Sequence, residues 1–267
     1  MTTVKTSRPA PGVTQVTLNR PDRLNTLDDQ LVTELTRVLD DVAGDPDCRV
    51  VVLTGEGRAF CAGLDLNGYG DEAKVEAHGE ATRQMSRQKE IARLAQRLHS
   101  LPQPVIAAVN GPAAGGGLAL VCASDIRIAA DSAVFAVSFI RAGFSGCDIG
   151  VSWLLPRIVG AGRAHELMLT GRRFDAAEAL RLGLLTEVVA ADSLLQTALD
   201  KAAQIMLNPP LSVELTKEGM WAALEISAFD TAVEFENRQQ VFTSFTADRL
   251  EATAAFLEKR APVYRRR

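Results

Sequence analysis

The sequence predicts an α/β core followed by a helical C-terminal region, and three observations support this fold class. Short runs of β-branched and other apolar residues, typical of strands buried on both faces, recur in the first half of the chain. Between them lie stretches whose apolar residues recur at helical spacing. Beyond Gly160 the pattern is predominantly helical. A chain of 267 residues can also bury a core large enough to need no disulfide or metal.

The individual elements follow from the same patterns. Strands are predicted at residues 13–18, 49–54, 105–109, 125–129 and 133–137. Helices are predicted from the acidic start at Asp28 to Gly44, over 85–98, from Gly115 onward, and over 162–170, 175–182, 191–207, 210–225, 230–245 and 248–259. The polar, glycine-containing stretch 67–83, which includes His78, is expected to be irregular.

Composition excludes several classes of protein. Hydrophobic residues make up 47% and charged residues 23% of the chain, which excludes a wholly disordered or collagen-like protein. The 29 basic and 33 acidic residues give a net charge of −4, which argues against nucleic acid as a partner bound by bulk charge. No apolar run approaches the ~18 residues of a membrane span, and residues 1–12 lack the apolar segment of a secretory signal. We therefore expect a cytoplasmic protein with no membrane partner.

The cysteines indicate neither a metal site nor a redox site. Cys48, Cys61, Cys122 and Cys147 lie far apart and form no CxxC pair, so zinc-ribbon and dithiol motifs are absent. Sparse cysteines are typical of a reducing compartment, where thiols are buried as small apolar groups. No metal ligand set is predicted.

Two glycine-bearing loops, each just after a predicted strand, are the strongest candidates for a functional site. They span residues 58–66 and 110–119. Glycines 115–117 stand at a helix start, where the backbone can approach a ligand closely and the first N–H groups are unpaired. These features predict a site for a negatively charged oxygen. Alternatively, the three glycines only allow the helix to pack closely against a strand.

Other glycine-rich and nucleophilic motifs are missing. The chain has no GxGxxG spacing for a dinucleotide, no GK[ST] for a phosphate loop and no GxSxG elbow for a nucleophilic serine. Its three histidines fall in no motif, so serine–histidine catalysis has little support.

Five segments together resemble one known family. They are FCAGLDL at 60–66, PVIAAVNGPAAGGGLAL at 104–120, SDIRIAA at 124–130, LTGRRFDAAEALRLGLLTEVV at 169–189 and FLEKRAP at 256–262. Their order and spacing are similar to the enoyl-CoA hydratase/isomerase (crotonase) family over nearly the whole chain. The resemblance implies a crotonase-type spiral of repeated ββα units over residues 1–200. It also implies a helical oligomerisation region over 201–267 and a homotrimer or a dimer of trimers.

The resemblance further implies an acyl-CoA substrate and an oxyanion hole. The N–H groups of Leu64 and Gly116 are expected to stabilise an enolate formed from the thioester. Coenzyme A enters as part of the substrate, and no other cofactor is implied. Candidate substrate-binding residues, besides the two donors, are Arg23, Arg58, Ala62, Phe139 and Lys259.

The sequence departs from the family's hydratase pattern at the acid–base positions. Family hydratases have glutamates where this chain has Ala119 and Phe139, neither of which can transfer a proton. Asp148 lies instead in a glycine-bounded turn that resembles the site of the catalytic aspartate in dienoyl-CoA isomerases and 4-chlorobenzoyl-CoA dehalogenase. Relative to those enzymes, this chain has one extra residue between Gly143 and Asp148. Asp148 is therefore the predicted acid–base group, and its alternative role is the N-cap of a helix beginning near Ile149.

A single carboxylate favours double-bond isomerisation, because one group can remove a proton from one carbon and return it to another. Hydration, or a related lyase reaction with a non-standard acid–base set, remains an alternative, as does acyl-CoA binding without catalysis. RNA binding, known for one branch of the family, is disfavoured by the net charge of −4. Dehalogenation is disfavoured because the dehalogenase's partner histidine has no counterpart that we can place. Asp65 is expected to hold its loop by local hydrogen bonds.

Overall fold

Parallel strands form the centre of the molecule. The computed structural model describes residues 2–66 and 79–265, and its larger sheet has six strands in the order β1-β2-β3-β4-β6-β9. Strands β1 and β2 are antiparallel, whereas every other neighbouring pair in this sheet is parallel. The strands are β1 Val4–Ala10, β2 Val13–Leu18, β3 Val50–Gly55, β4 Val105–Val109, β6 Ile126–Ala130 and β9 Glu187–Val189. A smaller sheet has the order β5-β7-β8, with β5 Ala113–Ala114, β7 Val134–Ala136 and β8 Arg173–Asp175.

Helices cover the sheet and form the C-terminal part of the chain. They are α1 Asp29–Ala43, α2 Glu80–Ser100, α3 Gly116–Ala123, α4 Val151–Val159, α5 Ala161–Thr170, α6 Ala176–Arg181, α7 Leu194–Met206, α8 Pro210–Ala223, α9 Phe229–Ser244 and α10 Ala247–Glu258. None of the helices within the described ranges combines the length and the apolar character that crossing a bilayer requires. The α/β core and the helical C-terminal region confirm the predicted fold class.

Both faces of the larger sheet are buried, which explains the continuous apolar runs in its strands. In β3, Val51 and Leu53 belong to the main core, whereas Val50 and Val52 belong to a second core on the opposite face. The second core is closed by α7 through Leu194, Ala198 and Ala202. Because alternate residues of a strand point to opposite faces, a strand covered on both sides needs apolar residues at every position.

Several elements differ from the prediction for identifiable reasons. Strand β1 was not predicted because it is an edge strand whose central residues are exposed, so it lacks an apolar run. Strands β8 and β9 have three residues each, too few to show a period. The expectation of irregular structure over 67–83 is wrong from Glu80 onward, because α2 begins there with mostly exposed polar turns. The rest of that stretch, 67–78 with His78, lies outside the described residues.

A buried ion pair attaches helix α8 to the core. Lys217 Nζ lies 2.7 Å from Asp125 Oδ2 and also donates to the carbonyls of Leu98 and Gln103 at 3.3 and 3.1 Å. Asp125 in turn accepts the Trp221 indole N–H at 3.2 Å. All three ammonium protons thus have acceptors, as a buried lysine requires.

A histidine that contacts two tryptophans lies beside this ion pair. The ring centroids of His99 and Trp221 are 4.3 Å apart, and those of His99 and Trp153 are 5.7 Å apart. His99 Nε2 is buried and has no hydrogen-bond partner among the described residues. Burial lowers the pKa of His99 and the charge of Lys217 lowers it further, against the opposing effects of Asp125 and Glu225.

The lowered pKa of His99 predicts a loss of stability on acidification. The unfolded chain, with a histidine pKa near 6.5, binds the proton more readily than the folded chain. We expect the unfolding temperature to fall between about pH 7.5 and about pH 5.5, and His99→Gln to reduce that fall. The exposed His165, changed to Gln, is the matched control and should leave the wild-type dependence intact. Equal pH dependence in His99→Gln and wild type would contradict the assignment.

Candidate active site

The loops that follow β3 and β4 pair with each other through their backbones. The N–H groups of Phe60 and Cys61 both donate to the Pro112 carbonyl at 3.1 Å, and the Ala114 N–H donates to the Cys61 carbonyl at 3.0 Å. Cys61 and Ala113 accordingly form a parallel bridge. The two loops singled out in the sequence therefore lie side by side at the carboxyl ends of neighbouring parallel strands, a common position for binding sites.

Close approach of these loops requires glycine at two positions. A Cβ atom added at Gly111 would lie 2.3 Å from the Arg58 carbonyl oxygen, and one added at Gly117 would lie 2.0 Å from the Cys61 carbonyl oxygen. Both contacts are with backbone atoms, which cannot rotate away. Gly117 therefore allows close packing of its helix, as considered above for glycines 115–117. The helix packs against the first loop, however, and not against a strand.

The side chain of Asn110 cross-links the same region. Its Oδ1 accepts the Gly55 N–H at 3.1 Å, and its Nδ2 donates to the carbonyls of Gly57 and Ala59 at 2.9 and 3.2 Å. One amide side chain therefore satisfies three backbone groups, one at the last residue of β3 and two in the turn that follows it. This arrangement fixes the start of the first loop relative to the second.

A third segment supports the first loop from the other side. Leu27 N–H donates to the Gly63 carbonyl at 2.8 Å, and Asp65 N–H donates to the Leu27 carbonyl at 3.0 Å. Arg20 forms ion pairs with Asp65 at 3.0 Å and Asp28 at 2.9 Å. Asp65 therefore holds its loop, as expected, but the expectation of local bonds is wrong for its side chain, because its partner Arg20 lies 45 positions away.

Two backbone amides at the junction of the loops are free of protein acceptors. The amide of Leu64 and the amide of Gly116 donate to no acceptor within residues 2–66 and 79–265. The bonds on either side of Leu64 both go to Leu27, so its own N–H points away from Leu27. A Cβ atom added at Gly63 would lie 3.7 Å from the Gly116 nitrogen, which places the two loops in contact at this point.

Apolar side chains surround the Gly116 amide. A Cβ atom added at Gly116 would lie 2.7 Å from Leu27 Cδ1 and 3.4 Å from Ile149 Cδ1. One added at Gly115, whose φ is +51°, would lie 3.5 Å from the Phe139 ring. Phe139 is nearly buried, so it forms part of the wall beside the glycine turn. An unpaired amide in such apolar surroundings interacts strongly with a negative charge.

Asp148 directly precedes Ile149, one of the apolar residues beside Gly116. It is half-buried, and its Oδ1 accepts the Ile149 N–H at 2.7 Å and a hydrogen bond from Gln88 Nε2. Ile149 has a φ of +47°, a strained conformation for a β-branched residue. The alternative role of Asp148 as a helix N-cap is wrong. Helix α4 begins at Val151 with Gly150 as its N-cap, so the Asp148 side chain turns back to the neighbouring amide instead.

The two positions occupied by glutamate in family hydratases are apolar and buried here. Ala119 has no exposed surface within α3, and Phe139 packs beside Gly115. Cys61, although close to the donor loops, is fully buried, and burial raises the pKa of its thiol to about 12. A thiol with such a pKa remains protonated at neutral pH. Of these side chains and Asp148, only Asp148 carries a carboxyl group.

The predicted coenzyme-binding cations fall into two groups. Arg23 and Arg58 are exposed and lie on adjoining turns, because a Cβ atom added at Gly57 would lie 3.0 Å from the Pro21 Cβ. Ala62 is half-buried on the first loop, and its N–H donates to the Leu24 carbonyl. Lys259 is exposed at the C-terminal end of α10, and none of its described hydrogen bonds reaches either loop.

Sequence reasoning missed three supporting contributions to the site. Arg20 forms an ion pair with Asp65, and Leu27 donates a hydrogen bond to Gly63. Gln88 donates a hydrogen bond to Asp148, which lies 60 positions further along the chain. Arg20 and Leu27 lie near a predicted turn, but nothing local indicates their distant partners. Gln88 lies on an exposed helical face, where a glutamine is ordinary and carries no signal.

Comparisons with known proteins agree with this architecture. A family model described as enoyl-CoA hydratase/isomerase matches residues 9–267. A probable enoyl-CoA hydratase of Mycobacterium bovis is 41% identical over 265 residues, covering 98% of this chain and 92% of the relative. The 1,2-epoxyphenylacetyl-CoA isomerase of Escherichia coli is 39% identical over 254 residues, covering 95% of each chain.

A solved structure is similar over the same extent. The crystal structure of a probable enoyl-CoA hydratase/isomerase from Mycobacterium abscessus superposes with a TM-score of 0.91 at 35% identity, covering 99% of both chains. The resemblance carried by the five sequence segments is thus confirmed, and so is the crotonase-type fold that it implied. The chain belongs to the enoyl-CoA hydratase/isomerase family of enzymes.

Proposed function

We propose that this enzyme isomerises a carbon–carbon double bond in an acyl-CoA thioester, with Asp148 as its acid–base group. The observation that carries the proposal is the combination of two free amides, at Leu64 and Gly116, with one carboxylate in the adjoining turn. Ile149, which follows Asp148, packs against the position of Gly116 and links the two features. The apolar residues at Ala119 and Phe139 support isomerisation over the two-glutamate route to hydration.

The proposed reaction is a 1,3-proton shift. The thioester oxygen accepts hydrogen bonds from the amides of Leu64 and Gly116, and the Asp148 carboxylate removes a proton from C2. The electrons of that C–H bond move into the C1–C2 bond, and the thioester oxygen becomes an enolate oxygen. The protonated Asp148 then gives its proton to C4. The electrons of the substrate's C3–C4 double bond form the new C4–H bond, those of the C1–C2 double bond form the C2–C3 double bond, and the enolate oxygen's electrons restore the carbonyl. Each amide donor is worth about 2.7–4 kcal/mol in such transition states.

The relatives' names support two reactions. The Escherichia coli relative is named an isomerase, in agreement with the proposal, whereas the Mycobacterium bovis relative is named a probable hydratase. Hydration is therefore the second candidate, and it requires a water molecule and a further polar group beside Asp148. Binding without catalysis is the third, suggested by the loss of both glutamates.

We further propose that basic side chains hold the coenzyme A part of the substrate. Arg23 and Arg58 lie on adjoining exposed turns next to the donor loop and can meet phosphate groups. Ala62, on the same loop, is also proposed to contact the substrate, and Phe139 is proposed to line the pocket for the acyl chain. Lys259, at the end of α10, is proposed to reach a ligand, including one in a neighbouring subunit. No cofactor beyond the substrate's own coenzyme A enters the proposed reaction.

Product analysis distinguishes the candidate reactions. A panel of 2-enoyl-, 3-enoyl- and dienoyl-CoA esters is incubated with the enzyme in deuterated water, and products are identified by mass spectrometry. We expect an isomer without added water. It contains deuterium wherever the protonated Asp148 exchanges with solvent before it returns the proton to C4. A 3-hydroxyacyl product would support hydration instead, and binding of the esters without any turnover would support the non-catalytic alternative.

Asp148→Asn tests the acid–base role, because the substitution preserves shape while abolishing proton transfer at neutral pH. We expect kcat to fall by about 10²–10⁴-fold with little change in the binding of a saturated acyl-CoA. Asp192→Asn, at an exposed aspartate without a described side-chain partner, is the matched control and should keep wild-type turnover. Wild-type turnover in Asp148→Asn would refute the assignment.

We also propose that the C-terminal helices form the interface of a homotrimer or a dimer of trimers. The predicted boundary at residue 200 falls inside α7, so the proposed interface comprises α8–α10 and the tail. This region exposes many large apolar side chains, with Phe245 and Phe256 more than four-fifths exposed. The others are Met220, Leu224, Phe229, Val241, Phe242, Leu250, Leu257 and Val263.

Light scattering tests the proposed assembly. At micromolar concentration we expect a particle of three or six times the mass of one chain. Phe245→Asp should shift it toward smaller species, since a charge would be buried in the interface. A single-chain mass for the wild-type protein would contradict the proposal.

A further inference from the structure

We propose that Gln88 is a positioning residue that holds the Asp148 carboxylate in the orientation needed for proton transfer. This inference rests on the proposed function, in which Asp148 moves the proton. The observation behind it is the hydrogen bond from Gln88 Nε2 to Asp148 Oδ1, which joins helix α2 to the turn before α4.

The described hydrogen bonds to the Asp148 carboxylate all fall on one oxygen. Oδ1 accepts from both Gln88 Nε2 and the Ile149 N–H, whereas Oδ2 has no hydrogen-bond partner among the described residues. Two donors on one oxygen fix the rotation of the carboxylate about its side chain. The other oxygen, Oδ2, is left available to exchange a proton, and we assign the proton transfer to it.

Glutamine suits this role because its amide donates without carrying charge. An arginine or lysine at position 88 would pair with the carboxylate, stabilise its ionised form and weaken it as a base. A neutral donor orients the carboxylate with a smaller effect on its proton affinity. The role therefore depends on the type of residue at position 88 and not only on its size.

The helix that carries Gln88 is anchored in the core. Leu94 and Leu98, on the same helix, have no exposed surface, and both belong to the main hydrophobic core. The turn that carries Asp148 is much less constrained, since most residues from Arg141 to Gly150 are exposed. Without Gln88, the Ile149 N–H would be the one described donor left to Asp148 Oδ1. Gln88 thus connects an exposed turn to a helix that is anchored in the core.

Two substitutions at position 88 separate hydrogen bonding from packing. Gln88→Ala removes the donor, and we expect kcat to fall by about 10- to 100-fold with unchanged binding of a saturated acyl-CoA. Gln88→Glu keeps the size but offers a carboxylate instead of a donor, so it should not restore kcat. Gln96→Ala is the matched control, because Gln96 is an exposed glutamine on the same helix. It should turn over at the wild-type rate.

A double substitution tests whether Gln88 acts through Asp148. In the Asp148→Asn background, Gln88→Ala should cause little further loss of kcat, because the carboxylate it positions is already gone. A further loss equal to that in the wild-type background would show that Gln88 acts independently and would overturn the inference. Full kcat in Gln88→Ala or Gln88→Glu, alongside an impaired Asp148→Asn, would overturn it while leaving the proposed function intact. Wild-type turnover in Asp148→Asn would refute both.

Discussion

Backbone hydrogen bonds between Cys61 and the segment 112–114 are the constraint on which the rest of the site depends. They hold two loops so close that a side chain at Gly111 or Gly117 would collide with backbone atoms. The same pairing brings the Gly63 turn against the amide of Gly116. The free amides of Leu64 and Gly116 are therefore products of loop packing, and no side chain supplies them.

The sheet and a third segment make this pairing possible. Strands β3 and β4 are parallel neighbours, so their carboxyl ends deliver both loops to one edge of the sheet. Arg20 draws Asp65 and Asp28 together, and Leu27 hydrogen-bonds on both sides of Leu64. Because these partners use up the neighbouring groups, the Leu64 amide is left pointing away from them. Preorganisation of this kind lowers the cost of binding a developing charge, since little must move during the reaction.

Much of the fold could be predicted because the sheet is buried on both faces. Strands β3 and β4 appear as uninterrupted apolar runs, and α1 shows its acidic start at Asp28 and its end at Gly44. Edge strand β1 and the short strands β8 and β9 lack such signals. The expectation of irregular structure at the beginning of α2 was wrong, because exposed helical turns need no apolar residues at helical spacing.

The candidate site was predictable to a lesser degree. The glycine loops can be recognised from the sequence, because close backbone approach restricts which residues are possible. The contacts of Arg20 with Asp65 and of Gln88 with Asp148 cannot be recognised in this way. They join polar residues 45 and 60 positions apart, and such residues are common on protein surfaces. The turn at Ile149 cannot be predicted from the sequence either. Isoleucine rarely adopts a positive φ, so this conformation depends on tertiary contacts.

The infrared frequency of a bound thioester carbonyl tests most directly whether the two free amides bind the thioester oxygen. A saturated acyl-CoA, labelled with ¹³C at the thioester carbon, binds without reacting, and its C=O stretch is compared with that of the free ligand. If the Leu64 and Gly116 amides both donate to the carbonyl oxygen, they polarise the C=O bond, so we predict a lower stretching frequency in the complex. A bound ligand whose carbonyl keeps its free-solution frequency would show that the two amides do not bind it.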